Sequence, residues 1–305
     1  MQEFLGVDTS NYTTSLALSR DGEIVKNLKK LLDVKEGQRG LRQSDAVFAH
    51  TVNLPHLFDE MGRISPAAVG VSVSPRDAEG SYMPCFLAGI SCAAAVASTS
   101  GVPLYRFSHQ AGHIAAALYS CGAEPLIHGR FLAFHVSGGT TELLLSDNMN
   151  ITRLGGTMDI SAGMAIDRTG VLLGMKFPCG KELETVAGDM PEKVKPGKIS
   201  VTGFDCNLSG LENKVSELIS SGADRQYIAA YVLSFVCAVI DRMAENAVAA
   251  YPGLPVIFSG GVMSNRFMRR RLSEKYGNYF AEPQFSCDNA AGIARLTAMR
   301  HCGEI

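Results

Sequence analysis

The stretch Phe131–Ser146 reads FLAFHVSGGTTELLLS, and Phe4–Ser19 reads FLGVDTSNYTTSLALS. The two align without a gap over sixteen residues and are identical at eight positions: Phe4/Phe131, Leu5/Leu132, Ser10/Ser137, Thr13/Thr140, Thr14/Thr141, Leu16/Leu143, Leu18/Leu145 and Ser19/Ser146. Each is an apolar run, a short turn of small polar residues and a second apolar segment, so each reads as a β-hairpin. Two copies 127 residues apart predict two similar lobes facing one another. Ser, Gly and Asn turns serve hairpins for purely steric reasons. They also let backbone N–H groups and hydroxyls converge on an anion. A matched pair facing across a cleft would hold a polyphosphate or phosphoester from both sides, and the pairing favours the ligand reading.

The 305 residues suffice for two domains. Hydrophobic content of 46% against 19% charged residues fits a globular chain and excludes a disordered one. A net charge of −2 gives no global basic field, so any nucleic-acid contact must come from local patches. MQEFLGVD is acidic and runs straight into a strand pattern, unlike a signal peptide. Apolar runs are broken by Ser, Cys and Asp before the roughly 20 residues that span a bilayer, so no membrane partner is expected. Of eight scattered cysteines without a CxxC pair, most sit in apolar or small-residue contexts and read as buried free thiols. The expectation is a reduced, cytoplasmic protein.

Along the chain, helical spacing covers 45–64, 84–99, 155–180, 226–251 and 264–276, with a last helix opening on Asp288 as its N-cap. Buried strands are expected at 67–74, 102–107 and 255–259, and 188–213 is irregular. Strands and helices alternate around the two hairpins, which argues for an α/β protein with two sheets.

Four constellations carry chemistry. His109 and His113 are four apart and share a helix face, near enough to hold one metal ion. They do not form a zincin HExxH, because Gln110 and Ala111 stand where a protease needs its glutamate. The strand at 256–259 ends in Gly260-Gly261, offering bare backbone to a flat ring, with Asn265 beyond it to bond a ribose or base. Ser264 would cap the helix that follows. Asp159 and Asp167 flank a glycine-rich helix, where a carboxylate can hold ribose hydroxyls. Arg266, Arg269, Arg270, Arg271 and Lys275 share one helix. A solvated face is its first reading and RNA phosphate contact its second.

Taken together, the DTS turn at 8–10, the HxxxH, the SGG turn at 137–139, the AxD of 165–167 ending in the PxG of 178–180, the SGL at 209–211 and SGGVxxNxxxRxxL from Ser259 to Leu272 resemble the TsaD family. That family threonylcarbamoylates tRNA, and the resemblance runs from residue 4 to 298 in order and spacing. It implies an actin/sugar-kinase/Hsp70-like fold of two ribonuclease-H-like lobes around a nucleotide cleft. The division drawn is 1–108 with 289–305 for the N-terminal lobe and 109–288 for the other. The family's metal ligands carry over to His109, His113 and Asp288, for iron or zinc, with magnesium accompanying ATP. A cation seated where the lobes meet is expected. ATP or adenylate handling carries over to Ser137, Gly138, Gly139, Asp167, Gly180 and Asn265, with Thr140, Asp159, Gly260 and Gly261 beside them. Asp8 and Ser10 are the candidate catalytic groups. The implied activity is transfer of threonylcarbamoyl from its adenylate to N6 of the tRNA adenosine next to the anticodon. The implied partners are nucleotide, tRNA and TsaB-like and TsaE-like proteins.

The chain departs from the family pattern at several places. Tyr12 and Thr13 replace an acidic pair, Thr140 a histidine, Ala111 a glutamate and Glu212 a lysine, and the turn Ser74–Cys85 is longer. These departures motivate a second reading, a divergent paralogue that binds adenylate and metal but serves another acceptor or acts as a nucleotide-dependent partner protein.

Overall fold

The first hairpin becomes β1 (Glu3–Asp8) and β2 (Thr13–Arg20), antiparallel in the register Phe4↔Ser19 to Asp8↔Ser15. The computed structural model describes residues 2–10, 12–33 and 41–305, so Asn11 of the first turn lies outside the described residues. A third strand, β3 (Glu23–Leu31), follows through Asp21-Gly22, both at positive φ, the geometry of a two-residue primed turn. Then come α1 (Gln43–Met61), β4 (Pro66–Ser74), α2 (Phe86–Ser100), β5 (Leu104–Ser108) and α3 (His109–Ser120). The sheet order is β3-β2-β1-β4-β5, with β4 parallel to β1 and β5 parallel to β4.

The second hairpin repeats this plan. Strands β6 (Arg130–Val136) and β7 (Thr141–Asp147) are antiparallel, and Asn148-Met149, again both at positive φ, turn the chain into β8 (Asn150–Gly156). After α4 (Ala162–Leu172), α5 (Gly180–Ala187), the short pair β9 (Ser200–Thr202) and β10 (Asp205–Asn207), α6 (Gly210–Ser220) and α7 (Arg225–Ala250), β11 (Val256–Ser259) returns parallel to β6. The order β8-β7-β6-β11 is that of β3-β2-β1-β4, so the repeated hairpin belongs to a repeated half-sheet. The chain ends with α8 (Arg266–Tyr276) and α9 (Ala291–Cys302).

The chain forms two compact units, Met1–His128 with Cys287–Ile305 and Gly129–Ser286. The first boundary, expected after residue 108, falls twenty residues later because α3 packs on α9 and stays with the first sheet. One face of that sheet is covered by α1 and α2, with Leu5, Val7, Leu16, Leu18, Leu54, Leu57 and Ala93 in one apolar cluster. Its other face receives α9, and the fit is at backbone distance: a Cβ on Gly6 would stand 2.5 Å from the Ala290 carbonyl oxygen.

In the second unit, α7 is the core helix, capped by Asp224 on the Gln226 and Tyr227 N–H groups. Contrary to the sequence expectation, α7 is long and apolar enough to cross a membrane, but 83% of its most apolar window is buried within the unit. Three further expectations change. The helix expected over 155–180 is the end of β8, then α4, then a turn into α5, because Gly174 at positive φ stops α4. Asp288 does not cap α9: the N-cap is Ala290, without a side-chain capping bond, and Asn289 Oδ1 just before it accepts the Ala291 N–H at 3.0 Å. Asn265, not Ser264, caps α8 by accepting from the Met268 N–H at 3.1 Å.

Candidate functional site

Helix α3 starts with Ser108, whose hydroxyl oxygen accepts the Ala111 N–H at 3.1 Å. His109 is thus the first helical residue, with His113 one turn on, and the two rings lie 4.3 Å apart edge to face. Gly112, between them, meets Gly292 of α9. A Cβ on Gly292 would stand 1.8 Å from the Gly112 carbonyl oxygen, so only glycine permits this crossing. The contact brings the segment before α9 to the histidines. His113 Nε2 lies 3.2 Å and His109 Nε2 3.6 Å from the same Asp288 Oδ1. These are the ligand positions predicted for a cation, and all three residues belong to the first unit.

The spacing fits a metal ion. Ligand atoms of a tetrahedral centre with bonds near 2.1 Å stand about 3.4 Å apart, midway between the two observed separations. His109 Nδ1 donates to Asp8 Oδ2 at 2.7 Å, which fixes the tautomer that leaves Nε2 for the cation. Two nitrogens and one carboxylate suit zinc or iron, whereas magnesium prefers an all-oxygen shell. Three protein ligands leave room for a substrate atom.

Asp8, expected among the catalytic groups, lies against the imidazole of His109. It is 1% exposed, its Oδ2 is on His109, and its Oδ1 accepts the Ser10 N–H at 2.8 Å. Ser10 is equally buried, and its hydroxyl has no partner among the described residues. Thr13, at a position where the family pattern has an acid, donates a long 3.5 Å hydrogen bond to Asp288 Oδ2. Sequence reading missed this contact because it joins residues 275 apart.

Without a cation, burial would lower the His109 pKa, but the charges of Asp8 and Asp288 outweigh it and raise the value to about 10. Burial would raise the Asp288 carboxyl, but hydrogen bonds from His109 and His113 hold it well below the usual range. The stabilisation from protonated His109 is full below its ordinary 6.5 and is lost as pH rises through about 10. A cation must therefore displace that proton at neutral pH. We expect affinity to rise about tenfold per pH unit between pH 7 and 9, with about one proton released. Calorimetry in buffers of different ionisation enthalpy reads this release, and buffer-independent heats would contradict it.

The remaining predicted residues cluster in the second unit. The Ser137–Thr140 turn is closed by Ser137 N–H to the Thr140 carbonyl at 2.7 Å and Thr140 N–H to Ser137 Oγ at 3.2 Å. Helix α4 abuts it: Ser161 Oγ donates to the Gly138 carbonyl, and a Cβ on Gly163 would meet Gly138 Cα at 2.6 Å. Gly260, at φ 96°, is required because a Cβ would stand 2.2 Å from the Val136 carbonyl oxygen. Gly138, Gly139 and Gly261 differ. Open space lies where their Cβ would be, and none has positive φ, so neither packing nor conformation demands glycine there.

Asp167 Oδ1 accepts the Cys179 N–H at 2.7 Å, fixing the approach to Gly180 at the start of α5, and burial raises its pKa. Asp159 is occupied by the backbone, accepting the N–H groups of Ile160, Leu208 and Ser209. Burial would raise its pKa, but these donors depress it strongly. The basic residues of α8 are largely paired: Arg266 with Glu184, Arg269 with Glu282, Arg270 with Glu192, and Lys275 with Asp241 and Glu245. Glu212 pairs with Arg168 at 3.2 Å, and Ala111 is buried.

Two half-sheets of one plan, β3-β2-β1-β4 and β8-β7-β6-β11, define a fold of the actin/sugar-kinase/Hsp70 type. The structure aligns over 100% of its length with 98% of the activator of 2-hydroxyisocaproyl-CoA dehydratase from Clostridium difficile with bound ADPNP, at a TM-score of 0.57 and 14% identity, a likeness of fold. Residues 68–295 match the TsaD family, described as tRNA N6-adenosine threonylcarbamoyltransferase. A tRNA N6-adenosine threonylcarbamoyltransferase from Thermus thermophilus is 31% identical, with 97% of this chain aligned to 92% of the relative. One from Kosmotoga olearia is 30% identical over 96% of this chain and 91% of its own. The chain belongs to the TsaD family of tRNA N6-adenosine threonylcarbamoyltransferases.

Proposed function

We propose that this chain transfers a threonylcarbamoyl group from its adenylate to N6 of the tRNA adenosine next to the anticodon. The observation that carries the reading is the convergence of His109, His113 and Asp288, with Asp8 spent on orienting His109. His109, His113 and Asp288 would hold a divalent cation, iron or zinc, which would supply Lewis-acid polarisation of the carbamoyl carbonyl. The N6 amine forms a bond to the carbamoyl carbon, the bond from that carbon to the adenylate phosphate oxygen breaks, AMP leaves, and the amine sheds one proton. Asp8 is assigned to holding the imidazole, since both its oxygens are engaged.

The adenylate is assigned to the second unit. Backbone N–H groups at Gly138 and Gly139 take phosphate, the open face of Gly261 takes the flat base, and Asp167 and Asn265 take ribose hydroxyls. The support is that three of these glycines are explained by no internal constraint. Family membership points to tRNA and to TsaB-like and TsaE-like proteins as partners, and to the cytoplasm as the place of work.

The decisive experiment supplies the purified protein, with TsaB-like and TsaE-like proteins, with threonylcarbamoyl-adenylate and unmodified tRNA, and measures the modified nucleoside by mass spectrometry. Absence of product with cation-loaded protein would refute the transfer. Gly163→Ala tests the nucleotide assignment. Its methyl would press on Gly138 Cα and the Ser137 carbonyl oxygen, displacing the turn, and we expect AMP affinity to fall about tenfold while cation binding in the first unit is unchanged.

A further inference from the structure

The turn Ser74–Cys85 joins β4 to α2 and is longer than that connection requires. Its contacts converge on the residues flanking the metal ligands. The Pro75 carbonyl accepts the Gln110 N–H at 3.1 Å, one of the first-turn donors that α3 cannot satisfy itself. Asp77 Oδ2 accepts the Ser108 O–H at 2.7 Å. At the far end, the Cys85 carbonyl accepts the Thr9 hydroxyl at 3.0 Å beside Asp8, and the Phe86 ring lies 6.3 Å from that of His109. The turn is braced internally by Arg76 N–H to Ser81 Oγ at 3.1 Å and Ser74 Oγ to the Arg76 carbonyl at 3.0 Å.

Ser108 has one hydroxyl hydrogen. Giving it to a carboxylate fixes the hydroxyl rotor and directs the oxygen lone pairs at the Ala111 N–H, and such charge-assisted bonds are roughly twice as strong as neutral ones. Ser108 is 1% exposed, whereas Asp77 is exposed, so the hydroxyl oxygen sits within the protein while its carboxylate partner reaches it from the surface. His109 is the next residue. Its ring must meet Asp8 on one side and the cation on the other, so a tilt of the first helical turn separates the nitrogens from Asp288.

We infer that Asp77 is a positioning residue for the metal centre, acting through Ser108 on the start of α3. The inference rests on the metal reading above. It is tested on the full chain with Co(II) as probe, by calorimetric titration and by the visible absorption of the bound ion, together with amide hydrogen exchange of residues 109–111 in the cation-free protein. Asp77→Ala is expected to weaken Co(II) binding about tenfold, the lower end of what outer partners of metal ligands cost. Asp77→Asn keeps an oxygen that accepts the same bond and is expected within about twofold of wild type. Ser108→Ala combined with Asp77→Ala should weaken binding no more than Ser108→Ala alone, because the two act through one link.

Wild-type affinity in Asp77→Ala overturns the inference, as does a lowered melting temperature with unchanged affinity, or additivity of the two substitutions. Should the wild-type chain take no Co(II), the metal reading fails. Exchange at 109–111 then still decides the brace: faster in Asp77→Ala but not in Asp77→Asn supports it, and no difference removes it.

Discussion

His109→Ala protein is expected to emerge folded and without its cation. The substitution removes one of three ligand atoms and the partner of Asp8 together, so the loss should exceed the roughly 100-fold that removal of an outer partner costs. Asp8 keeps its bond from the Ser10 N–H, so the carboxylate left behind is not wholly unsatisfied. A stability loss of about 1–3 kcal/mol follows from the buried oxygen that loses its donor. Elemental analysis of the purified variant, with circular dichroism as the control for folding, decides the matter. Wild-type metal content would remove His109 from the site. Transfer activity should fall with occupancy, by two orders of magnitude or more.

A comparable loss is expected from a residue that touches neither cation nor substrate. In Gly292→Ala the new methyl would lie 1.8 Å from the carbonyl oxygen and 2.7 Å from the carbonyl carbon of Gly112, and 2.8 Å from the Ala116 nitrogen. These are backbone atoms and cannot swing aside, so α3 and α9 must separate. Overpacking of this kind costs about 3 kcal/mol or more. For a unit of this size that lowers the melting temperature by roughly 6–12 °C. Because the separating helices carry the histidines and follow Asp288, cation affinity should drop as well. Gly112→Ala provides the contrast. Its methyl would meet Ile293 Cδ1 at 2.9 Å, the end of a flexible side chain, and the effect should be smaller. Equal melting of Gly292→Ala and wild type would show that the crossing tolerates a methyl group.

Sequence periodicity revealed the duplicated hairpin because eight identities at fixed offsets need no knowledge of tertiary contacts. The third strand of each half-sheet escaped. Asp21-Gly22 is a primed-turn signal that could have marked the first, but Asn148-Met149 carries no comparable one. His109 and His113 were legible from their helical spacing alone. Asp288, 175 residues beyond His113, was named only through family resemblance, since no local pattern announces a ligand delivered by another helix. Asp8 was legible as a site residue but its contact with His109 was not, because a sequence does not say whether a carboxylate faces a substrate or an imidazole. The last helix, expected to open on Asp288, begins three residues later at Ala291 after an N-cap at Ala290, a boundary that the good capping residues Asp288 and Asn289 concealed.

The first unit is assembled from two separate segments, Met1–His128 and Cys287–Ile305, with residues 129–286 interposed. A ribosome therefore makes the sheet, the histidine pair and the glycine faces that await α9 long before it makes α9. Until translation passes Asp288, a nascent chain holds the two histidines without the carboxylate that meets them both, and a sheet face that α9 has yet to cover. Closure of the His109–His113–Asp288 cluster is thus a late event in synthesis, and a product truncated before residue 287 could not form it.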